Sequence, residues 1–289
     1  MPDAKNLIIA AAVVLATAVP RADAGDVAWD KAIGADAGKL NDIQRSRAAA
    51  LLKKIQNTRG CEGTLTKCLA AGDRTAARHA GYVIRQVRRE KPDGFIERHI
   101  ELRHRSAFPD ETYDIDLADH PRRGSAGAAV EVVEYACFQC PFCADLAPKM
   151  KRRFKKEFGD KVAHYYKFFP VRSHEHGVSS ALAGLAAHRQ GEFWKLYDIL
   201  YAHRHDLGDD ELRDYAEEAG LDMERFEKDI EDPAAMRFIE KDKLEGMRFG
   251  VEGTPTFFVN GKLYRGQNDI AELLDRIGEE LDILEGRIQ

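Results

Sequence analysis

Several residue patterns are scarce in this chain of 289 residues, and each shortage excludes a class of protein. Five cysteines are too few for a small fold that depends on disulfides. Positive charge is not in excess, since the formal net charge is -5, which argues against a dedicated nucleic-acid binder. After residue 19 no apolar run is long enough to span a bilayer. The length then indicates a globular protein with one full domain and a smaller one.

The first 24 residues have the pattern of a secretory signal peptide. Lys5 precedes an apolar run at residues 7–19, and Ala22 and Ala24 form a small-residue cleavage pattern. The run is too short for a comfortable transmembrane helix. We therefore expect a periplasmic or otherwise exported protein, cleaved after about Ala24, with an uncleaved membrane anchor as the alternative. Such a compartment is oxidising, so cysteine pairs persist there as disulfides.

Residues 25–92 are predicted to form a small helical N-terminal region. Apolar residues recur at helical spacing within residues 40–55 and again within residues 83–87. Between them, Cys61 and Cys68 lie seven positions apart in a glycine-containing turn. We interpret them as a structural disulfide, which would contribute roughly 2–3 kcal/mol in the chain-entropy model. A second redox pair is the alternative.

We expect residues 93–125 to be a linker. Pro92 and Gly94 end the helical pattern, and residues 108–127 are rich in Pro, Asp, Gly and Arg. The boundary also carries a run of basic residues: Arg85, Arg88, Arg89, Lys91, Arg98, Arg103 and Arg105. Such a run usually covers a solvated helix face.

The remaining residues, 126–289, have the pattern of an α/β domain. The predicted order is strand, helix, strand, helical block, hairpin and helix, at residues 128–135, 141–158, 162–169, 176–250, 256–264 and 269–284. Asn260 and Gly261 supply the turn of the hairpin.

Cys140, Pro141, Phe142 and Cys143 lie between the first predicted strand and helix and have the spacing of a redox dithiol. Free N–H groups at a helix start stabilise a thiolate at Cys140, whereas Cys143, one turn inside, is more shielded. The same spacing occurs in zinc and iron-sulfur sites. Cys137, three residues upstream, is open to three interpretations: a buried free thiol, an alternative disulfide partner of Cys140, or a metal ligand.

Two motifs more than a hundred residues apart carry a family resemblance. Residues 133–143 look like a strand followed by a redox motif, and residues 250–261 look like a cis-proline loop followed by a hairpin. Together with the helical block, they resemble the DsbA-like branch of thioredoxin-fold thiol-disulfide oxidoreductases over about residues 126–285. The resemblance implies an α/β thioredoxin fold with a helical subdomain inserted at about residues 176–250, preceded by the small helical N-terminal region.

The resemblance also implies roles for the residues around the two cysteines. Cys140 would be the attacking thiolate, and Cys143 the resolving thiol that breaks the mixed disulfide. Glu134 occupies the family's buried acidic position and would exchange protons with Cys143. A carboxylate at the edge of a strand is the alternative interpretation of Glu134.

Substrate contacts are implied at two places. Pro255 would be cis and would expose the backbone of Thr254, which pairs with a bound substrate chain as an added strand. Pro141 and Phe142 would lie beside the reactive sulfur and contact the same substrate.

The implied activity is dithiol-disulfide exchange with exported proteins that carry thiols or disulfides, with no cofactor, resident metal or nucleic acid. A membrane or soluble redox partner would reset the site. The Pro-Phe pair between the cysteines is closer to that of oxidising members, so an oxidase is favoured over an isomerase or reductase. The alternative from another class is a zinc- or copper-binding module that uses Cys137, Cys140 and Cys143 with a histidine such as His174.

Overall fold

The computed structural model describes residues 24–288, so the expected signal peptide lies outside the described residues except for its last position. Within this range, a five-stranded mixed sheet is packed among eleven α-helices. The strands are β1 (Arg122–Arg123), β2 (Val130–Ala136), β3 (Val162–Phe168), β4 (Thr256–Val259) and β5 (Lys262–Leu263).

The helices fall into an N-terminal group, a helix after β2, a central block and a C-terminal helix. They are α1 (Asp42–Lys54), α2 (Leu65–Ala70), α3 (Arg74–Arg88), α4 (Asp93–Ala107), α5 (Pro141–Phe158), α6 (Gly177–Arg189), α7 (Phe193–Ala202), α8 (Asp209–Ala219), α9 (Met223–Glu231), α10 (Pro233–Arg248) and α11 (Ile270–Leu284). Single turns of 3-10 helix lie at Ala24–Asp26, Trp29–Lys31, Ala37–Lys39 and Gly159–Lys161. Across residues 24–288, no helix combines the length and the apolar character that crossing a membrane requires.

The sheet has the strand order β1-β3-β2-β4-β5, which places β2 at its centre. β2 is parallel to β3 and antiparallel to β4. The β4–β5 hairpin turns at Asn260 and Gly261, whose φ values of 49° and 71° fit the positive φ that a tight two-residue hairpin turn needs. Helices α6 to α10 are inserted between β3 and β4. The predicted α/β fold with its inserted helical block is confirmed.

Both faces of the sheet are covered, so the strands have almost continuously buried side chains. Val130 and Val132 of β2 pack on the face that α5 and α11 cover. On the opposite face, Tyr135 donates to Glu245 of α10 at 2.8 Å, and the buried Lys167 of β3 pairs with Glu245 at 2.8 Å. The sheet is therefore a rigid support for the residues that follow the end of β2.

The N-terminal helices α1 to α3 enclose their own apolar core, which includes Leu52, Leu69 and Val83. Cys61, in the loop between α1 and α2, forms a disulfide with Cys68 of α2, and their Cα atoms are 5.5 Å apart. Helix α2 has six residues, too few to be stable alone, and the disulfide links it to the preceding loop.

Residues 93–107 differ from the linker expected there, because they form helix α4. Helix α3 already ends at Arg88, where Glu90 with a positive φ of 58° follows its C-cap, and the Pro-Asp-Gly sequence begins the next helix. Pro92 at the N-cap sacrifices no helical hydrogen bond, and Asp93 in the first turn favours a helix start. Ile96 and Ile100, four residues apart, then pack into the N-terminal core. The helical region therefore extends to Ala107.

Buried ion pairs join this N-terminal region to α11. Asp275 accepts hydrogen bonds from Arg78 at 2.7 Å, Arg85 at 2.7 Å and Arg103 at 3.0 Å. Burial by itself would raise the pKa of Asp275, but the guanidinium groups of Arg103, Arg85 and Arg78 hold that pKa well below its usual value. Asp275 is therefore ionised throughout the physiological pH range.

The basic run at residues 85–105 is thus not a solvated helix face throughout, as the sequence had indicated. Arg103 is 4% exposed, and Arg85 makes a two-point contact with Glu272 of α11 at 3.0 and 2.7 Å. Arg98 and Arg105 do lie on the surface. The expectation was wrong for Arg85 and Arg103, because their acidic partners lie more than 170 positions away in the sequence.

Candidate active site

Cys140 and Cys143 lie where β2 gives way to α5. The chain leaves β2 at Ala136 and turns, with the Cys140 N–H donating to the Cys137 carbonyl at 3.0 Å. Helix α5 begins at Pro141, a position that needs no N–H donor. Cys140 is consequently the N-cap residue, and its sulfur lies beside the free N–H groups of the first turn.

The environment of Cys140 favours its thiolate. A hydrogen bond from Cys143 contributes most, and the N–H groups of Cys143 and Phe142 add to it. Together they outweigh burial and lower the pKa of Cys140 to about 5. At neutral pH the reduced Cys140 sulfur is therefore predominantly a thiolate, the form that attacks a disulfide.

Cys143 has the opposite environment. It has no exposed surface, and burial raises its pKa well above the usual value. Its hydrogen bond to Cys140 and the negative charge of Glu134 act in the same direction. Cys143 is consequently a protonated thiol at neutral pH, and it must lose its proton before it can attack a mixed disulfide at Cys140.

The reactivity of Cys140 is expected to depend on pH with a midpoint near 5. The rate of alkylation by iodoacetamide should rise with pH through this midpoint and then level off, because the thiolate is the reacting form. Cys143→Ala should move the midpoint upward, since it removes the main stabilising hydrogen bond. Cys143→Ser keeps an O–H donor and should move it less. Equal midpoints for these two variants would contradict the assigned role of the Cys143 hydrogen bond.

The loop before β4 brings Thr254 and Pro255 to the reactive sulfur. The peptide bond between them is cis, and the Sγ atom of Cys140 lies 3.2 Å from the Thr254 carbonyl oxygen. Pro255 is buried, and its carbonyl accepts a hydrogen bond from Asn268 at 3.3 Å. The structure thus brings together two motifs that are 114 positions apart in the sequence.

Pro141 and Phe142 lie on the surface next to Cys140. Phe142 is 64% exposed, which is unusual for an aromatic side chain beside a buried sulfur. An exposed apolar ring at this position offers a contact for an incoming polypeptide. Phe142 lies two positions after Cys140 in the sequence, and the Thr254 carbonyl oxygen lies 3.2 Å from the Cys140 sulfur, so both are near Cys140.

Glu134 lies on the central strand and has no exposed surface, so it is not a carboxylate at a strand edge. Its Oε2 atom lies 2.9 Å from Nε2 of His164. Its Oε1 atom has no hydrogen-bond partner among residues 24–288. Its negative charge also contributes to the raised pKa of Cys143.

His164 is the residue of this site that the sequence analysis missed. It lies on β3. Glu134 of β2 pairs with Tyr166 of β3, and His164 is two residues before Tyr166, so its side chain lies on the same face of the sheet as Glu134. The sequence did contain a pattern that could have identified it. Side chains alternate between the two faces along a strand, so once β3 is placed parallel to β2, its even-numbered residues lie on the same face as Glu134.

Cys137 is buried, and its sulfur lies 3.2 Å from Nδ1 of His174. Burial raises the pKa of Cys137, although backbone N–H groups partly oppose the effect. Across residues 24–288, no group of three or more His, Cys, Asp or Glu side chains is arranged to hold a metal ion. The zinc- or copper-binding alternative therefore gains no support from the geometry, and the Cys137–His174 contact is a pair without a third ligand among these residues.

Comparison with known families gives a match that covers more than half of the chain. A family model described as thioredoxin matches residues 117–279. Among curated proteins, the chain is similar to the Na+/H+ antiporter NhaA of Herminiimonas arsenicoxydans, at 37% identity over 51% of this chain and 23% of that protein. It is also similar to NhaA 1 of Mycolicibacterium gilvum, at 34% identity over 54% of this chain and 25% of that protein. The chain thus spans about a quarter of the length of these relatives.

Solved structures agree on the fold. BdbD from Bacillus subtilis superimposes with a TM-score of 0.54 at 22% identity, covering 59% of this chain and 97% of that chain. A thioredoxin-like oxidoreductase from Silicibacter pomeroyi gives a TM-score of 0.52 at 25% identity, covering 62% of this chain and 97% of that chain. The thiol-disulfide exchange protein α-DsbA2 from Wolbachia pipientis gives a TM-score of 0.51 at 19% identity, covering 63% of this chain and 96% of that chain. The chain therefore belongs to the thioredoxin family, and its fold is shared with these solved structures.

Proposed function

We propose that this protein is exported and oxidises thiols of other exported proteins through Cys140. The observation that carries the proposal is the asymmetry of the dithiol: the pKa of Cys140 is lowered to about 5, whereas burial keeps Cys143 protonated. A stable thiolate is both a good nucleophile and a good leaving group. Phe142 and the Thr254 backbone would contact the substrate polypeptide beside the sulfur.

The reaction consists of two exchanges. A substrate thiolate attacks Cys140 Sγ, the Cys140–Cys143 bond breaks, and its electron pair goes to Cys143, which takes up a proton. A second substrate thiolate then attacks the substrate sulfur of the mixed disulfide and expels Cys140 as a thiolate. The substrate leaves with a disulfide, and the two electrons remain on the protein as a dithiol until a membrane or soluble redox partner removes them.

The low pKa of Cys140 favours the oxidising direction. At pH 7 a thiolate whose pKa is about 5 stabilises the reduced form by roughly 2.7 kcal/mol relative to an unperturbed thiol. For a two-electron couple this corresponds to a disulfide that is roughly 60 mV more oxidising. The low pKa thus stabilises the reduced form relative to the disulfide, which favours passing the disulfide on to substrates.

The reduction potential tests this direction. We expect purified wild-type protein, equilibrated with glutathione buffers, to have a potential clearly above the roughly -270 mV of thioredoxin. The oxidised protein should also introduce disulfides into a reduced, unfolded test protein faster than the reduced protein cleaves insulin disulfides. Cys137→Ala should have the same potential if Cys137 is a buried thiol, and a different one if it pairs with Cys140. A wild-type potential at or below that of thioredoxin would contradict the oxidase assignment.

A further inference from the structure

Residues 264–269, called here loop 264–269, connect β5 to α11 and contact the cis-proline loop. The Asn268 side chain donates a hydrogen bond to the Pro255 carbonyl oxygen at 3.3 Å. The cis peptide bond immediately before Pro255 includes the Thr254 carbonyl, whose oxygen lies 3.2 Å from the Cys140 sulfur. Asn268 therefore supports the loop that faces the reactive sulfur.

Helices α3 and α4 of the N-terminal region hold loop 264–269 from the other side. The Arg265 N–H donates to the Ser106 hydroxyl of α4 at 2.7 Å, and the Gln267 side chain donates to the Tyr82 hydroxyl of α3 at 3.2 Å. Ser106 and Tyr82 are each 1% exposed. Both acceptors are therefore fixed in a closely packed interior.

The loop depends on such contacts for its position, because its residues belong to no helix or strand. Arg265 and Asn268 are exposed, and an irregular surface segment of this kind is mobile unless it is anchored. Its last residue, Asp269, is the N-cap of α11 and pairs with Arg89 of α3 at 3.1 Å. Two of the three helices that anchor the loop thus belong to the N-terminal region.

We propose that the N-terminal region positions the cis-proline loop for substrate binding, through loop 264–269 and Asn268. Helices α3 and α4 lie outside residues 117–279, the part that matches the thioredoxin family, so this support is additional to the matched domain. The inference rests on the proposed function, in which the Thr254 backbone pairs with the substrate polypeptide. Asn268 acts through the Pro255 carbonyl, so it is a positioning residue.

The physical basis is preorganisation. A loop that is already ordered binds an extended chain more tightly than a loop that must be ordered during binding. Loss of the Asn268 hydrogen bond would let Thr254 and Pro255 adopt other positions in the free protein, which weakens binding of a polypeptide. A small dithiol that does not pair with the Thr254 backbone needs only access to the Cys140 sulfur, so its reaction should be unaffected.

The test uses these two kinds of substrate in single-turnover reactions of the oxidised full chain. The substrates are a reduced, extended peptide with two cysteines and dithiothreitol. In both reactions the substrate dithiol loses two electrons and two protons, and Cys140 and Cys143 gain them as their disulfide opens. We expect Asn268→Ala to raise the peptide concentration at half-maximal rate about fivefold, the factor that one ordinary hydrogen bond contributes.

Three other quantities should stay at their wild-type values in Asn268→Ala. They are the maximal rate with the peptide, the rate with dithiothreitol and the pH midpoint near 5 for Cys140. A change that merely disrupted the active site would alter all three, whereas a change in loop position alters the binding of the peptide alone.

The N-terminal side of the contact is tested by Tyr82→Phe combined with Ser106→Ala. This double variant removes both acceptors that α3 and α4 offer to loop 264–269. It should raise the peptide concentration at half-maximal rate by a similar factor. Adding Asn268→Ala to it should cause little further change, because the three substitutions interrupt one chain of contacts and their effects are not additive.

Two control variants separate this effect from a loss of stability. Gln190→Ala removes another side-chain amide that donates to a backbone carbonyl, that of Asp222 in the inserted helical block, at 3.2 Å. Thr64→Ala removes the side-chain cap of α2, which accepts from the Lys67 N–H, and so weakens the N-terminal region at a different helix. Both controls should keep the peptide concentration at half-maximal rate within twofold of the wild type.

The outcomes distinguish this inference from the function on which it rests. A rise of less than twofold in Asn268→Ala or in the double variant would overturn the positioning role alone. The same conclusion would follow from an equal loss of rate with dithiothreitol, or from an equal rise in Thr64→Ala. A wild-type protein whose disulfide oxidises neither substrate would overturn the proposed function, and with it this inference.

Discussion

Cys140→Ser is expected to abolish thiol-disulfide exchange, with a loss of at least a thousandfold in the rate of oxidation of a reduced test protein. The serine hydroxyl has no accessible anionic form at neutral pH and cannot form a disulfide, so neither exchange can take place. Cys143 cannot take over, because it is fully buried and its pKa is raised well above the usual value. The oxidation is measured by the loss of free thiols in the test protein.

Cys137→Ser is the matched comparison for this loss. It changes a sulfur three residues away on the same turn and is expected to keep more than half of the wild-type rate, because Cys137 is buried against His174 with a raised pKa. Circular dichroism should show that both variants are folded. Exchange that persists in Cys140→Ser would remove Cys140 from the role of nucleophile, and equal losses in both variants would make Cys137 part of the reaction.

Asp275→Asn is expected to destabilise the protein by about 3–5 kcal/mol, the usual cost of removing one partner from a buried ion-pair network. Three arginines converge on this carboxylate, and Arg78 and Arg103 are themselves buried. Because the pKa of Asp275 is lowered on folding, its contribution is present above the unfolded-state value of about 4 and is lost as pH falls through the lower folded value. The loss should therefore be visible at neutral pH by urea denaturation.

Asp145→Asn supplies the control for this measurement. Asp145 pairs with Lys149 one turn along α5 on an exposed surface, so its removal should cost less than about 0.5 kcal/mol. The midpoint near 5 for Cys140 should be unchanged in Asp275→Asn, because the network lies between the N-terminal helices and α11. A cost for Asp275→Asn no larger than that for Asp145→Asn would show that the arginines find equivalent partners without it.

The parts of the fold and site that the sequence predicted are those with local signals. Pro141 sets the start of α5 because proline is tolerated at the first helical position, and the helix bounds follow from there. Asn260 and Gly261 adopt the positive φ values that their turn needs, so the hairpin could be placed from two residues. The cis bond before Pro255 was implied by the resemblance, and the structure contains it.

The parts that the sequence did not predict depend on partners that are distant in the chain. The burial of Arg103 follows from acidic residues on α11, and a local count of like charges contains no information about them. The contact of His164 with Glu134 depends on the register between β2 and β3, which is set only when the strands pair. Helix α4 was missed because Pro92 and Gly94, which lie at its start, are residue types that commonly end helices.

The complete burial of Cys143 has a kinetic consequence. On the proposed function, Cys140 is the one sulfur that exchanges with another molecule, beside Phe142 and Thr254, so the substrate and the resetting partner would occupy the same surface in turn. Turnover should then follow a double-displacement scheme, with parallel lines in double-reciprocal plots and inhibition when either molecule is in large excess. On that scheme, the rate would be governed by how quickly one partner leaves as much as by how well the other binds.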